Sequence, residues 1–200
     1  MPVCLIVEGD GDKEAVPALF RRVARENGFY ALTHRNQLQA GGLSKVRRAG
    51  NLERFLRYAA GNDASPVLVA LDCEDDCPAA IAAEFRRRAA ALGGAGVEHV
   101  EICLIDREYE TFFLYCIESL RMAYPAIPWN DAAIANLRRP ESIRNAKAHL
   151  ARMMGRSYRE TRDQTRFTMA IDLEVLRQRS RAFRHFESAV RRLAKIEQCS

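Results

Sequence analysis

The chain has 200 residues, 48% of them hydrophobic and 28% charged, with a formal net charge of +5. That supplies one medium-sized core but too little chain for two full-sized domains. No stretch approaches the roughly 18 consecutive apolar residues of a membrane span. Val3–Val7 follows Met1-Pro2 without a basic leader, so an unexported, cytoplasmic protein is expected. Six scattered cysteines then read as reduced thiols, and collagen-like, disordered, membrane and disulfide-scaffold classes are excluded.

Val3–Val7 (VCLIV) is a continuous apolar run ending in Glu8-Gly9-Asp10-Gly11-Asp12, the pattern of a buried parallel strand and its turn. Val16, Leu19, Phe20 and Val23 follow at helical spacing. Pro17 suits only a first turn, which predicts a helix starting near Glu14 and ending at Asn27-Gly28. A strand is expected near residues 31–38, and Leu52, Phe55, Leu56 and Ala59 mark a short helix. Val67–Leu71 (VLVAL) is a second buried strand. A helix over 79–92 is broken by Gly93-Gly94 and Gly96, and 97–105 reads as a third strand. Thr111–Met122 reads as helical up to Pro125 and Pro128. Residues 131–200 read as mostly helical, with Phe183, Phe186, Val190 and Leu193 on the face of the last helix. The alternation implies an α/β fold with a mainly parallel sheet flanked by helices. The expected division is a core over 1–128 and a basic, mostly helical C-terminal extension over 129–200, packed on the core.

The charge is unevenly placed. Residues 1–130 hold 15 basic against 18 acidic side chains, whereas residues 131–200 hold 16 against 8. A weakly acidic body with a strongly basic tail suits a protein that handles a polyanion, although a solvated helical surface gives the same count.

Ligands of open α/β sheets gather beyond the carboxyl ends of the strands. Here three strands end in acid: at Glu8, at Asp72-Cys73-Glu74-Asp75-Asp76, and at Asp106-Arg107-Glu108-Tyr109-Glu110. Like charges brought together call for a cation or a proton. Magnesium suits oxygen ligands and binds through one or two carboxylates plus substrate phosphate oxygens. Asp72 and Glu74, two apart, share a face if the chain stays extended. Glu108 and Glu110 point about 200° apart if a helix has begun, so that only one of them faces the site. Asp10 and Asp12 read first as turn or cap residues, and Asp75 and Asp76 as acids favouring the start of the following helix.

Glu8-Gly9 after an apolar strand, the Asp72-x-Glu74 pair and the later glutamates resemble the Toprim core, the catalytic fold of topoisomerases, primases and overcoming-lysogenization-defect (OLD) type nucleases. The chain resembles more closely a Toprim-like family known only as a domain of unknown function. It does so at 7–22 (VEGDGDKEAVPALFRR), 67–80 (VLVALDCEDDCPAA), 107–120 (REYETFFLYCIESL), 142–150 (SIRNAKAHL), 158–173 (YRETRDQTRFTMAIDL) and 181–186 (RAFRHF).

The resemblance implies a Toprim-like Rossmannoid core and a Mg2+- (or Mn2+-) dependent nuclease cutting DNA or RNA phosphodiesters, in a defence or DNA-repair setting. It implies Glu8 as metal ligand or general base, and Asp72 and Glu74 as the Asp-x-Asp motif, with Glu standing for the usual second Asp. Asp76 would substitute as a metal ligand if the loop curls, and Glu108 or Glu110 would be an additional acid. Lys147, one of four lysines, is a candidate phosphate contact or charge stabiliser, with a solvated helix lysine as the alternative. Gly11 stands where many relatives have Thr. The implied partners are nucleic acid and an AAA/ABC-type ATPase, with a homodimer left open and no membrane. Tyr158, Asp163, Gln164 and Arg166 form a second cluster that contacts substrate or packs the tail.

Other chemistries fit less well. Cys73-x-x-x-Cys77 has no second ligand pair at zinc spacing, and Cys73 sits among acids, unlike a nucleophilic thiol. There is no Gly-x-Ser-x-Gly elbow, no phosphate loop, and no lysine between 46 and 146 for a phosphoacceptor receiver domain. The competing reading is a non-catalytic metal-binding subunit that regulates or docks onto an ATPase.

Overall fold

The computed structural model describes residues 2–93 and 96–199, with the side chains of 36, 62 and 197–199 outside that description. The expected break at Gly94 and the Cys199 thiol therefore lie outside the described residues. Four strands, β1 (Val3–Val7), β2 (His34–Gln39), β3 (Val67–Asp72) and β4 (Val100–Ile105), form one parallel sheet in the order β2-β1-β3-β4.

Strand alternation divides the core in two. Val3, Leu5, Val7, Leu68, Ala70, Cys103 and Ile105 face one helical layer; Cys4, Ile6, Val67, Val69, Leu71, Ile102 and Leu104 face the other. The second layer holds α2 (Leu43–Arg47), α3 (Asn51–Ala60) and α4 (Pro78–Ala90). The first holds α1 (Asp12–Glu26), α5 (Thr111–Tyr115), α6 (Ile117–Ala123) and the C-terminal helices. Those are α7 (Asp131–Ala135), α8 (Ala146–Met153), α9 (Thr165–Ala170), α10 (Leu173–Arg179) and α11 (Arg181–Cys199). One hydrophobic cluster runs from β1 and α1 through Phe167, Phe183 and Phe186, so the helices after residue 129 share a core with the sheet.

Several boundaries differ from the sequence expectation for identifiable reasons. Helix α1 begins at Asp12 rather than Glu14, leaving Pro17 in its second turn. Proline there cannot donate to the carbonyl of Lys13. The Gln37 side-chain amide does so instead, at 2.6 Å. The helix expected over 111–122 is divided at Cys116, whose backbone leaves helical geometry (φ −106°, ψ 24°) while its thiol donates to the Asp172 carbonyl at 3.3 Å. Among the described residues no helix is long and apolar enough to cross a membrane.

Candidate active site at the carboxyl ends of the strands

Glu8 leaves the end of β1, and its Oε2 accepts the backbone N–H of Asp72, at the end of β3, at 2.9 Å. Adjacent parallel strands are thereby tied where their acids meet. The chain then turns through Gly9–Gly11 into α1, and the Asp12 carboxylate closes the turn by accepting the Gly9 N–H at 2.9 Å. Asp12 thus performs the turn role expected of it. Its other oxygen accepts Gln164 Nε2 at 2.7 Å, and the residue is only 8% exposed.

Electrostatics define the group more sharply than sequence spacing. Burial pushes the Glu8 carboxyl up to about 7; Asp12 and Glu74 add repulsion, against the Asp72 N–H and Lys147, which pull the other way. Asp72 is held well above the ordinary carboxylate range, by burial first and then by Asp12, Glu8 and Glu110. Burial likewise raises Asp12. Glu110, 1% exposed, is pushed up to about 7 mainly by burial. Its Oε1 accepts the Tyr158 hydroxyl at 2.9 Å, while Oε2 is buried without a hydrogen-bond partner. Four carboxyls from three separate stretches therefore share one field.

The cation that acts on this group is Lys147 in α8. Its ammonium pairs with Glu160 at 2.7 Å, and although burial opposes the charged form, Glu110, Glu160 and Asp72 raise its pKa overall. Glu160 and Gln164 belong to a single π-helical turn, Glu160–Gln164, leading into α9. Such turns are frequent at functional sites. Asp163, fully buried, anchors this one. It accepts two bonds from Arg156 at 3.0 Å each, two from Arg162 at 2.8 and 2.9 Å, and the Arg159 N–H at 3.0 Å. Those guanidiniums hold its carboxyl far below the usual range, although burial alone would raise it.

Gly11 is explained by the same turn. A Cβ built on it would lie 1.9 Å from Gln164 Oε1 and 2.9 Å from the Glu160 Cβ, so Gln164 occupies the space a threonine there would need.

Of the residues singled out in the sequence, Glu8, Asp72, Glu110 and Lys147 come together. Glu74 follows at the rim: it is exposed and takes a left-handed conformation (φ +49°), so the chain bends and the shared face expected of Asp72 and Glu74 is not formed. Glu108 turns away, its oxygens accepting the Ala146 and Lys147 N–H groups of α8 at 3.2 and 3.4 Å. Asp76 is also outside the group, exposed and paired with Arg47 at 3.5 Å. Asp75 is engaged by Arg107 and by Arg144 at 3.2 Å. Arg166 points elsewhere, its guanidinium over the Tyr124 ring. Asp12, Glu160 and the direct reach of Gln164 were not legible as site residues. The signal available was that the resemblance extends to 158–173 as well as to the strand-end motifs.

Cys73 is buried with its thiol pushed up to about 12, and Cys77 is exposed. Among the described residues, no three His, Cys, Asp or Glu side chains stand as a ready-made metal cage.

The fold and site define an α/β protein with a carboxylate cluster and one lysine at the carboxyl edge of a parallel sheet. The chain belongs to the family described as Domain of unknown function (DUF4276), whose match spans residues 7–191. Among solved structures it is similar to the C-terminal region of the Xanthomonas campestris pv. campestris OLD protein. The two are 16% identical, with a TM-score of 0.47 over 99% of this chain and 98% of that one. Comparison with curated proteins finds no match.

Proposed function

We propose that the chain is a divalent-metal-dependent, Toprim-like nuclease acting on DNA or RNA phosphodiesters. The observation that carries this reading is the convergence of Glu8, Asp72 and Glu110, all with raised pKa values, beside Lys147. Holding several carboxyls together away from water is costly unless something positive is bound between them.

The residues fit Mg2+ or Mn2+: the donors are all oxygen, and Glu110 keeps one buried oxygen unused. The lack of a three-ligand cage among the described residues is compatible with Mg2+, which keeps several waters and completes its shell with substrate oxygens. Glu8 and Asp72 would hold the ion, with Glu74 reaching in from the rim. When bound, it would neutralise the carboxylates, polarise a phosphoryl oxygen and acidify a water.

The chain's own residues supply the rest. Lys147 offsets negative charge on the phosphate, Tyr158 fixes the Glu110 carboxyl, and Gln164 fixes Asp12. Purified protein with Mg2+ or Mn2+ should cut single- or double-stranded DNA or RNA, and Glu8→Gln and Asp72→Asn should each lower the rate at least 100-fold with the melting temperature retained. Cutting at the wild-type rate by both variants would overturn the assignment.

A second reading keeps the carboxylate cluster as a metal-binding site without catalysis. In it the chain is a non-catalytic subunit whose acidic site regulates a partner AAA/ABC-type ATPase. It predicts that Mn2+ raises the melting temperature of the wild type, not of Glu8→Gln, while no nucleic acid is cut.

A further inference from the structure

A cleft of about 280 Å3 opens at the β4 edge of the sheet. One wall is α4, with Pro78, Ala82 and Arg86; the other is the start of α11, with Arg181 and His185; Ile102 and Leu104 form the floor. Arg86 and Arg181 are both exposed, and among the described residues neither pairs with a carboxylate within ion-pair distance. Some arginines of this chain are neutralised, as Arg88 is by Glu53, Arg177 by Glu26 and Arg192 by Glu101. Arg181 Nε instead donates to His185 Nε2 at 3.4 Å, so among the described residues neither guanidinium in the cleft has its charge offset by a carboxylate at ion-pair distance.

The surroundings reinforce the positive field. An adjoining opening shares Arg181 and Asp106 and adds Arg179 and Arg184 against Glu141. Arg184 is held in place by the carbonyls of Arg177 and Gln178. Burial lowers the pKa of His185, and the charges of Arg181, Arg86 and Arg184, with the Glu101-paired Arg192, lower it further. Asp106 is the acid lining both openings, and burial raises its own pKa.

Position decides what such a cleft would take. Asp72 pairs in register with Ile105, and Asp106, in the cleft, is the next residue. Neighbouring strands lie about 4.8 Å apart. The cleft therefore begins about one strand spacing, roughly 5 Å, from the Asp72 end of the carboxylate cluster, so one nucleic-acid strand can span both. An arginine fork matches a phosphate diester geometrically, whereas a lone ammonium does not.

We propose that the Arg86–Arg181 cleft binds the phosphodiester backbone of a nucleic-acid strand whose neighbouring nucleotides lie over the Glu8–Asp72 cluster. This deepens the nuclease reading and rests on it for the direction of the strand. Binding, unlike cutting, needs no metal and can be measured alone.

The experiment uses fluorescein-labelled 20-nucleotide single strands of DNA and of RNA, with the full chain in EDTA, followed by fluorescence anisotropy from 50 to 300 mM salt. Arg86→Ala/Arg181→Ala should weaken binding of the preferred strand at least tenfold. It should also reduce the steepness of log K against log salt by about 1.4, the contribution of two contacts to a single strand. Arg138→Ala/Arg152→Ala, which removes the same charge from a different cleft, should change affinity less than threefold. Cys77, exposed in the cleft wall, should lose reactivity toward iodoacetamide when the strand is bound, read by peptide mass at that residue.

Equal losses in the two double variants, unchanged Cys77 labelling, or no wild-type binding at 50 mM salt would each overturn the proposal. If the wild type cuts and Arg86→Ala/Arg181→Ala binds and cuts as well, the cleft is wrong and the nuclease reading stands. If the strand binds through the cleft but nothing is cut, the cleft stands and the nuclease reading falls.

Discussion

Gln164 Nε2 donates to Asp12 Oδ1 at 2.7 Å across 152 residues of sequence, joining the first turn of the first helix to a π-helical turn near the end of the chain. The remaining Gln164 oxygen is buried without a partner and lies where a side chain on Gly11 would begin. Glycine at 11 and glutamine at 164 thus form one packing unit.

Gly11→Thr should therefore destabilise the fold by about 1–3 kcal/mol through overpacking. Gln164→Ala removes the nearest obstruction, so the double variant should recover part of that loss, a coupling of at least about 0.5 kcal/mol. Urea unfolding of the four proteins measures it. Strict additivity would mean that the two sites do not compete for space.

Stability should fall as pH rises through neutrality. Glu110 has a folded pKa of about 7 against an ordinary 4.5, so between those values the folded chain binds more protons than the unfolded one. The stabilisation is fully present below about 4.5 and is lost as pH passes 7, amounting to on the order of 3 kcal/mol for so buried a group. Glu8 and Asp72 act in the same direction. Asp163 acts oppositely, since its depressed pKa gives stability that disappears in acid. Melting temperature against pH should show a maximum in the mildly acidic range, and Glu110→Gln should flatten its alkaline side. An unchanged alkaline slope would remove Glu110 as its source.

Pro17 and Gln37 should be energetically coupled. Gln37→Ala leaves the Lys13 carbonyl without its donor and should cost about 1–2 kcal/mol. In a Pro17→Ala background the backbone N–H restored at position 17 takes that carbonyl, so the same change should cost less than about 0.5 kcal/mol. Denaturant midpoints of the two pairs decide it.

Asp163→Ala should loosen the π-helical turn. It deletes a buried carboxylate that accepts five hydrogen bonds, and losses of about 3–5 kcal/mol are typical when a buried ion pair is broken. Hydrogen exchange should then speed at residues 159–168 more than in the sheet. Uniform acceleration would make the network a general brace instead.

The strands that read clearly, β1 and β3, were legible because both of their faces are covered, which turns them into unbroken apolar runs. Edge strand β2, HRNQLQ, carries no such run, and its bounds lay a few residues beyond those expected. At the site, the acids ending β1 and β3 were visible because a charge after an apolar run has few structural uses. The choice between Glu108 and Glu110 was not, since it depends on the left-handed Arg107 (φ +62°) and on α8 arriving to take Glu108. Asp76 also looked equivalent to its neighbours until Arg47, 29 positions earlier, claimed it. Asp12 was hidden because its turn-closing bond, which sequence does suggest, leaves a second oxygen whose partner only the folded chain supplies.

The spread of these residues along the sequence has a consequence for dissecting the protein. Glu8, Asp72 and Glu110 precede residue 111, whereas Lys147, Tyr158 and Gln164, which act on them and on Asp12, follow residue 146. A fragment of residues 1–128 would carry the acids without their counter-charge or clamps, so the acidic centre belongs to the sheet and the later helices jointly.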